Sequence, residues 1–570
     1  MRILFLTHAF NSLTQRLFVE LREQCHEVSV EFDINDAVTL QAVELFQPDL
    51  IIAPFLKRAI PPAIWNRHVC LIVHPGVRGD RGPSALDWAI LNREQRWGVT
   101  VLQANAEMDA GDIWASVEFP MREACKSSLY RNEVTEAAVA AVKLAAARYA
   151  AGDYRPEPLD VTAPGVRGEQ RPLMQQSDRT IDWQQDDTAI VLRKIRCADG
   201  FPGVRDTLFG REVFLHDAHP EETLRGAAGA VIARCGGALC RATLDGAVWI
   251  GHLRDRQCAY PFKLPATRLL ADEVRDLPEI SPVRDTGNWD IRYEQAGEVG
   301  YLHFPFYNGA MGTQQCERLR QAYLDACRRD TRAIVLMGGP DFWSNGMHLN
   351  LIEAADSAAD ESWRNINAID DLAAEIINTT SHLTVAALRG NAGAGGVFLA
   401  RAADFVWAHA GVILNPHYKD MGNLYGSEYW TYLLPRCAGE AHAEQIIRAR
   451  LPMGAREACA MGLLDEWFGR DKEDFERQLV NRANALAASA DYAARLEEKR
   501  ARRRRDEANK PLARYRDEEL EKMRLNFYGF DPSYHVARYN FVYKVPRSRT
   551  PLTLASHRRT RPADSMRNAS

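Results

Sequence analysis

Three groups of residues in this 570-residue chain have the types and spacing to do chemistry. The first is His74, with Pro75 and Gly76 behind the apolar run Leu71-Ile72-Val73, together with Asp109 in Met108-Asp109-Ala110-Gly111-Asp112. An imidazole and a carboxylate are side chains that readily move protons to and from a reacting carbonyl. The second is a pair of glycine-rich loops about 50 residues apart, Gly338-Gly339 onward to Gly346-Met347 and Gly390-Asn391-Ala392-Gly393-Ala394-Gly395-Gly396, each behind an apolar run. Glycine permits close approach of the backbone, so such loops can aim N–H groups at a developing oxyanion. The third is Asn415 to Trp430, dense in hydroxyl, imidazole and carboxylate groups, where Tyr418, Glu428 and His417 are candidates to move a proton beside a bound acyl group.

The elements that must position these groups follow from periodicity. Over residues 1–161, short buried-strand runs (2–7, 28–32, 50–53, 71–73) alternate with helical spacing at 13–24, which predicts a Rossmann-like half sheet. It lacks a dinucleotide fingerprint, because no G-x-G-x-x-G follows the first strand. Ligands of such sheets bind at the carboxyl ends of strands, where His74 emerges. Residues 162–280 carry short strand patterns at 229–233 and 247–250 that suit a small OB-like β-barrel. Without a basic and aromatic stripe, packing is favoured over RNA binding for this unit. A third unit is expected over 281–480, and a helical carboxy-terminal region with a basic tail over 481–570. The whole is α/β multidomain.

Composition narrows the class. Hydrophobic residues at 46% and charged residues at 26% are those of a soluble globular protein, with no apolar run near the ~20 residues needed to span a bilayer. No secretory signal is read at the start, and a cytoplasmic location is expected, with no membrane partner. Eleven scattered cysteines without a C-x-x-C pair indicate neither a disulfide framework nor a zinc site, so no metal is expected. A net charge of −5 argues against nucleic acid as a partner, although Lys544 to Arg567 holds seven Lys and Arg residues. The last ~20 residues are expected to be disordered unless a bound ligand or another domain orders them.

The segment His74 to Ala85, then Gly98-Val99-Thr100-Val101, then Met108 to Asp112, resembles methionyl-tRNA formyltransferase in order and spacing, and Ser177 to Gly203 resembles the opening of that family's small carboxy-terminal domain. The resemblance implies a formyl group carried by 10-formyltetrahydrofolate, with His74 stabilising or protonating the tetrahedral intermediate and Asp109 orienting it. That family places an Asn two residues before the His, and Ile72 stands here. Loss of one such donor costs about 10²-fold or more, so either another donor substitutes or the acceptor is handled differently. The two glycine loops resemble the enoyl-CoA hydratase (crotonase) family, a ββα spiral fold. By motif position the N–H groups of Met347 and Gly395 would form its oxyanion hole for a thioester. That family's two catalytic Glu positions hold Phe398 and His417 here, so hydration of an enoyl-CoA is not expected.

The joint pattern resembles the hydrogenase maturation factor family HypX, also called HoxX. The resemblance implies formyl transfer from 10-formyltetrahydrofolate to coenzyme A, then decarbonylation of formyl-CoA to CO and CoA, with the CO destined for [NiFe]-hydrogenase. The hydrogenase large subunit or other maturation proteins are the expected partners. In the second step the proton-moving group is one of Glu428, Tyr418 and His417. CoA phosphates call for cations, with Gln15, Arg16, Arg131, Arg547 and Arg549 as candidates. Two other readings stay open: a formyltetrahydrofolate hydrolase releasing formate, and a non-catalytic scaffold that docks on a hydrogenase subunit.

Overall fold

A computed structural model describes residues 1–280 and 290–559. The domain boundary expected at 281 and the end of the basic tail at 560–570 lie outside the described residues. The chain divides into two compact units, one of Met1–Arg179 with Arg196–Phe201 and the chain from Pro546 onward, the other of Thr180–Ile195 with Pro202–Val545.

In the first unit the apolar runs become strands β1 (Arg2–Thr7), β2 (Glu27–Phe32), β3 (Leu50–Phe55) and β4 (Cys70–His74), followed by β5 (Arg96–Gln103) and β6 (Ile113–Pro120), in the order β2-β1-β3-β4-β5-β6. The first four are parallel, whereas β5 and β6 run antiparallel. Helices cover such a sheet on both faces, which is why β1 and β3 read as near-continuous apolar runs rather than alternating ones. The helix Ser12–Glu23 starts where the side chain of Asn11 accepts the N–H of Thr14, satisfying one of the orphan donors of its first turn.

Part of the tail is ordered by another domain, the exception that the expectation allowed. Residues 551–559 pack on the edge strand β2: Leu554 and Ala555 are buried, and the N–H of Val30 donates to the carbonyl of Leu554. The buried carboxylate of Glu31 explains why. It accepts from Thr550, lies 2.9 Å from His557 and accepts from Arg558 at 2.5 Å. These partners hold it below the usual Glu value against the upward push of burial.

In the second unit, β7 (Val204–Leu208), β8 (Arg211–Glu221), β9 (Val231–Cys235), β10 (Ala238–Ala242), β11 (Ala247–Arg254) and β12 (Leu264–Pro265) form an antiparallel sheet of order β7-β8-β11-β10-β9, with β12 on β11. The expected barrel does not close among the described residues. Closure needs β7 to pair with β9, but the outer edge of β9 is taken by residues 278–280, with Arg234 bonded to the carbonyl of Pro278 and to the N–H of Ile280.

The rest of this unit is a two-sheet spiral. One sheet holds β13 (Arg292–Ala296), β14 (Val299–His303), β15 (Ala333–Gly338), β17 (Leu383–Leu388), β19 (Phe405–His409) and β22 (Glu466–Phe468); the other holds β16 (Phe342–Ser344), β18 (Asn391–Gly393), β20 (Ile413–Asn415) and β21 (Met453–Gly454). From β15 to β20 consecutive strands alternate between the two sheets. The helix Ala358–Asn378 lies between β16 and β17, and the carboxy-terminal helices Lys472–Ala487, Tyr492–Asn509 and Leu512–Tyr528 follow β22. The fold class is α/β throughout, with a Rossmann-like domain, a small open sheet and a crotonase-like spiral.

Candidate active sites

The first site forms at the carboxyl end of β4. His74 is buried between two carboxylates, its Nε2 2.9 Å from Asp80 Oδ1 and its Nδ1 3.5 Å from Asp109 Oδ2. Hydrogen bonds fix the turn that presents it: Trp97 Nε1 donates to the carbonyl of Pro75 at 2.9 Å, and Thr100 Oγ1 to that of Gly76 at 2.9 Å. Glycine is required at 76, where a Cβ would lie 2.4 Å from His74 Nε2 and 2.5 Å from Asp80 Oδ1. Asp109 sits in the left-handed region (φ 54), a conformation Asp tolerates better than most residues, and accepts the N–H of Gly82 at 3.3 Å. Gly111 packs so tightly that a Cβ would overlap the carbonyl of Gln103. The structure thus brings His74 and Asp109 together and adds Asp80, which sequence reasoning left unassigned although it lies in the same glycine-rich segment. Ile72, on the His74 face of the strand, packs half-buried against the apolar cluster of Ala53, Ile60 and Ala104, so no amide stands there.

The residues named for CoA phosphates distribute unevenly. Arg16 is buried, with Nε 2.8 Å from Glu20 and Nη1 3.0 Å from Glu136, so its guanidinium is already neutralised by two carboxylates. The Gln15 amide donates to the carbonyl of Phe10 at 2.9 Å. Arg131 lies in a π-helical turn, Tyr130–Val134, whose first ring meets Phe55 at the carboxyl end of β3. Arg547 stacks 5.8 Å over Phe32 at the carboxyl end of β2, and Arg549 is exposed two residues on. The segments that carry Gln15, Arg131 and Arg547 thus lie by the carboxyl ends of β1, β3 and β2.

The second site is built by three adjacent parallel strands, β16, β18 and β20, whose carboxyl ends lie side by side. β16 runs into Gly346 (φ 73) and Met347, and β18 into Ala394 (φ 48) and Gly395, which opens the helix Gly395–Arg401. Among the described residues no protein acceptor takes the N–H of Met347 or Gly395. A Cβ on Gly346 would lie 3.6 Å from the Gly395 nitrogen, so the two loops meet. β20 leads to His417 and Tyr418. The Tyr418 hydroxyl lies 2.6 Å from Glu428 Oε2 and 2.9 Å from the carbonyl of Ser427. The Glu428 carboxyl in turn abuts Gly395, where a Cβ would overlap Oε1. Phe398, at the former Glu position, stacks 5.6 Å from the Tyr418 ring.

Glu428 (φ 61) and Tyr429 (φ 59) are successive left-handed residues, a strained turn of the kind that persists only when its surroundings over-determine it. Two further acids do so. Asp370 Oδ1 accepts the N–H of Glu428 at 2.8 Å, and its Oδ2 the hydroxyl of Ser427 at 2.7 Å. Glu519 accepts the N–H groups of Tyr429 and Thr431 at 2.9 and 2.8 Å and the hydroxyl of Thr431 at 2.5 Å. Burial pushes the Glu428 carboxyl up to about 8, with the charge of Asp370 adding to it. Burial likewise raises Glu519 to about 8 and Asp370 to about 6. Tyr418 is raised well above its ordinary value by burial and by Glu428. His417 is also buried, and burial lowers its imidazole, but among the described residues it shares no hydrogen bond with Tyr418 or Glu428 and its Nδ1 has no partner. Among the described residues no cluster of His, Cys, Asp and Glu could hold a metal, and no helix is long and apolar enough to cross a membrane.

Residues 1–145 match the Formyl transferase family, 173–260 the Formyl transferase C-terminal domain, and 302–526 the Enoyl-CoA hydratase/isomerase family. Fold and sites together define a formyltransferase joined to a crotonase-type domain in one polypeptide. The chain is 60% identical over 558 residues to the hydrogenase maturation factor HoxX of Bradyrhizobium diazoefficiens, covering 98% of this chain and 97% of that protein. The crystal structure of HypX from Aquifex aeolicus in complex with tetrahydrofolic acid is 49% identical, with a TM-score of 0.95 over 99% of this chain and 100% of that one. The chain belongs to the HypX/HoxX family of hydrogenase maturation factors. A methionyl-tRNA formyltransferase of Halalkalibacterium halodurans is 25% identical over 177 residues, 30% of this chain and 53% of that protein.

Proposed function

We propose that this chain makes CO for hydrogenase maturation in two steps, transferring the formyl group of 10-formyltetrahydrofolate to coenzyme A and then cleaving formyl-CoA to CO and CoA. Support for the first step comes from His74 held between Asp80 and Asp109, and from tetrahydrofolic acid in the HypX complex. The CoA thiol attacks the formyl carbon, and as the C–N10 bond of the tetrahedral intermediate breaks the imidazole passes the thiol's proton to N10, so that tetrahydrofolate leaves and formyl-CoA remains, with Asp109 orienting the intermediate. Gln15, Arg131, Arg547 and Arg549 are the proposed CoA contacts.

The observation that carries the second step is the Tyr418–Glu428 pair pressed against Gly395. Met347 and Gly395 N–H groups grip the thioester oxygen, while the carboxyl group beside them exchanges a proton with the reacting atoms. The reaction moves one proton from carbon to sulfur and releases CO, so one proton-exchanging group suffices. No water-activating pair of Glu residues is needed, in keeping with Phe398.

The test is purified protein with 10-formyltetrahydrofolate and CoA, with CO trapped by deoxyhaemoglobin. CO that requires both substrates is expected; formate without CO would instead favour a hydrolase, and complex formation without turnover a scaffold. Gly76→Ala is expected to lower formyl transfer by about 10²-fold, because the new methyl prises His74 from Asp80 and a misplacement of about 1 Å at a reacting group costs that much. Consumption of 10-formyltetrahydrofolate in the presence of CoA measures it.

A further inference from the structure

The turn at Ser427–Glu428 contains a proton-counting constraint. Tyr418 Oη carries one hydrogen but faces two groups, the carbonyl of Ser427 at 2.9 Å and Glu428 Oε2 at 2.6 Å. If Glu428 is ionised, Tyr418 must donate to it, and the carbonyl of Ser427 loses that donor. If Glu428 is neutral, its O–H donates to Tyr418 Oη and Tyr418 donates onward to Ser427, but the Ser427 N–H, 3.2 Å from Glu428 Oε2, then has only the carboxyl's hydroxyl oxygen to accept it; the hydrogen bonds permit either form and the charges facing Glu428 decide between them. Asp370 has the opposite surroundings. Its two oxygens receive the Glu428 N–H and the Ser427 O–H at short range and Arg516 lies 3.9 Å away, so two donors and a cation favour its charge against the neighbouring acids Asp371 and Glu519. The groups facing Glu428 are Asp370 from the helix Ala358–Asn378, Tyr418 from the loop after β20, Glu519 from the helix Leu512–Tyr528 and the buried thiol of Cys316 from the helix Thr313–Ala326.

We propose that Asp370 is a positioning residue that, as the ionised member of the cluster, keeps the proton on Glu428, so that Glu428 enters the second half-reaction as the acid. The proposal rests on the decarbonylase reading above and gives it an order. As the C–S bond breaks, its electron pair goes to sulfur, which takes the proton of Glu428. The formyl carbon then gives up its hydrogen as a proton to the new Glu428 carboxylate and keeps the C–H electron pair as the lone pair of CO. Glu428 is neutral again, CoA leaves as the thiol, and no further reactant is consumed. Glu519 holds the turn in which this happens.

Infrared difference spectroscopy of the full chain tests it, using the protonated-carboxyl band that disappears in Glu428→Gln and following that band with pH. Asp370→Asn keeps an oxygen for the Glu428 N–H but removes the charge, and is expected to move the midpoint down by about one unit. The parent at pH 7 is expected to show that band, because Glu428 holds its proton there. A midpoint unmoved in Asp370→Asn overturns the proposal, as does a parent at pH 7 that lacks the band removed by Glu428→Gln. The two measurements use different proteins, so failure of Asp370→Asn to fold leaves the other decisive. The readout is a proton on one side chain. If the band and its shift appear in a protein that releases no CO from formyl-CoA, the decarbonylase reading fails while the proton assignment stands.

Discussion

Glu428→Gln is expected to lower CO release by about 10²- to 10⁴-fold, the range for losing a positioned acid or base, while CoA-dependent consumption of 10-formyltetrahydrofolate stays at the parent rate and formyl-CoA accumulates. The amide fills the space against Gly395 and still accepts from Ser427, so the turn survives and only the exchangeable proton is gone. Burial and the charge of Asp370 place this carboxyl at about 8, so the parent's second step should weaken as pH rises through that value, when the acid form is lost. The residual rate of the variant should show no such limb. Formyl-CoA and CO followed separately across a pH series decide it, and equal losses in both steps would mean that Glu428 serves the fold rather than the reaction.

His74→Asn should have the complementary signature, with formyl transfer reduced by about 10²- to 10⁴-fold and decarbonylation of added formyl-CoA unchanged. The imidazole presents a nitrogen on each side, 2.9 Å from Asp80 and 3.5 Å from Asp109, and an amide of asparagine length cannot reach both. Asp80 is wholly buried, so a carboxylate stripped of its partner is also expected to lower the melting temperature of the chain. Supplying formyl-CoA directly bypasses the first site. A variant that loses both activities together would show that the defect is global.

The longer strands were readable because buried parallel strands are continuous apolar runs, and the carboxyl end of β4 was marked by His74, whereas β16 and β18 are three-residue strands inside the stretches read as glycine loops behind β15 and β17. Both glycine loops and the Tyr418–Glu428 pairing were therefore anticipated in outline. Asp370 and Glu519 were not, because they reach the site from helices 58 and 90 positions away from their partners, and among neighbouring acids such as Asp371 and Glu518 nothing local marks them. Arg16 was open to a better reading: Glu20 four residues on is the spacing of an intrahelical ion pair, which argues against a free phosphate ligand. Strand content suggested a barrel for the small domain, but closure depends on which edge residues 278–280 cover, a tertiary fact.

The dependence of the Ser427–Thr431 turn on Glu519 also has a temporal side. During synthesis the glycine loops and Tyr418 emerge well before the helix Leu512–Tyr528, and until that helix docks nothing supplies the three acceptor contacts that hold the turn in its left-handed conformation. A growing chain can thus form its glycine loops and most of its spiral and still lack the finished turn at Glu428. On the reading proposed above, thioester cleavage therefore waits for the helix Leu512–Tyr528 to dock, whatever has already formed around the glycine loops.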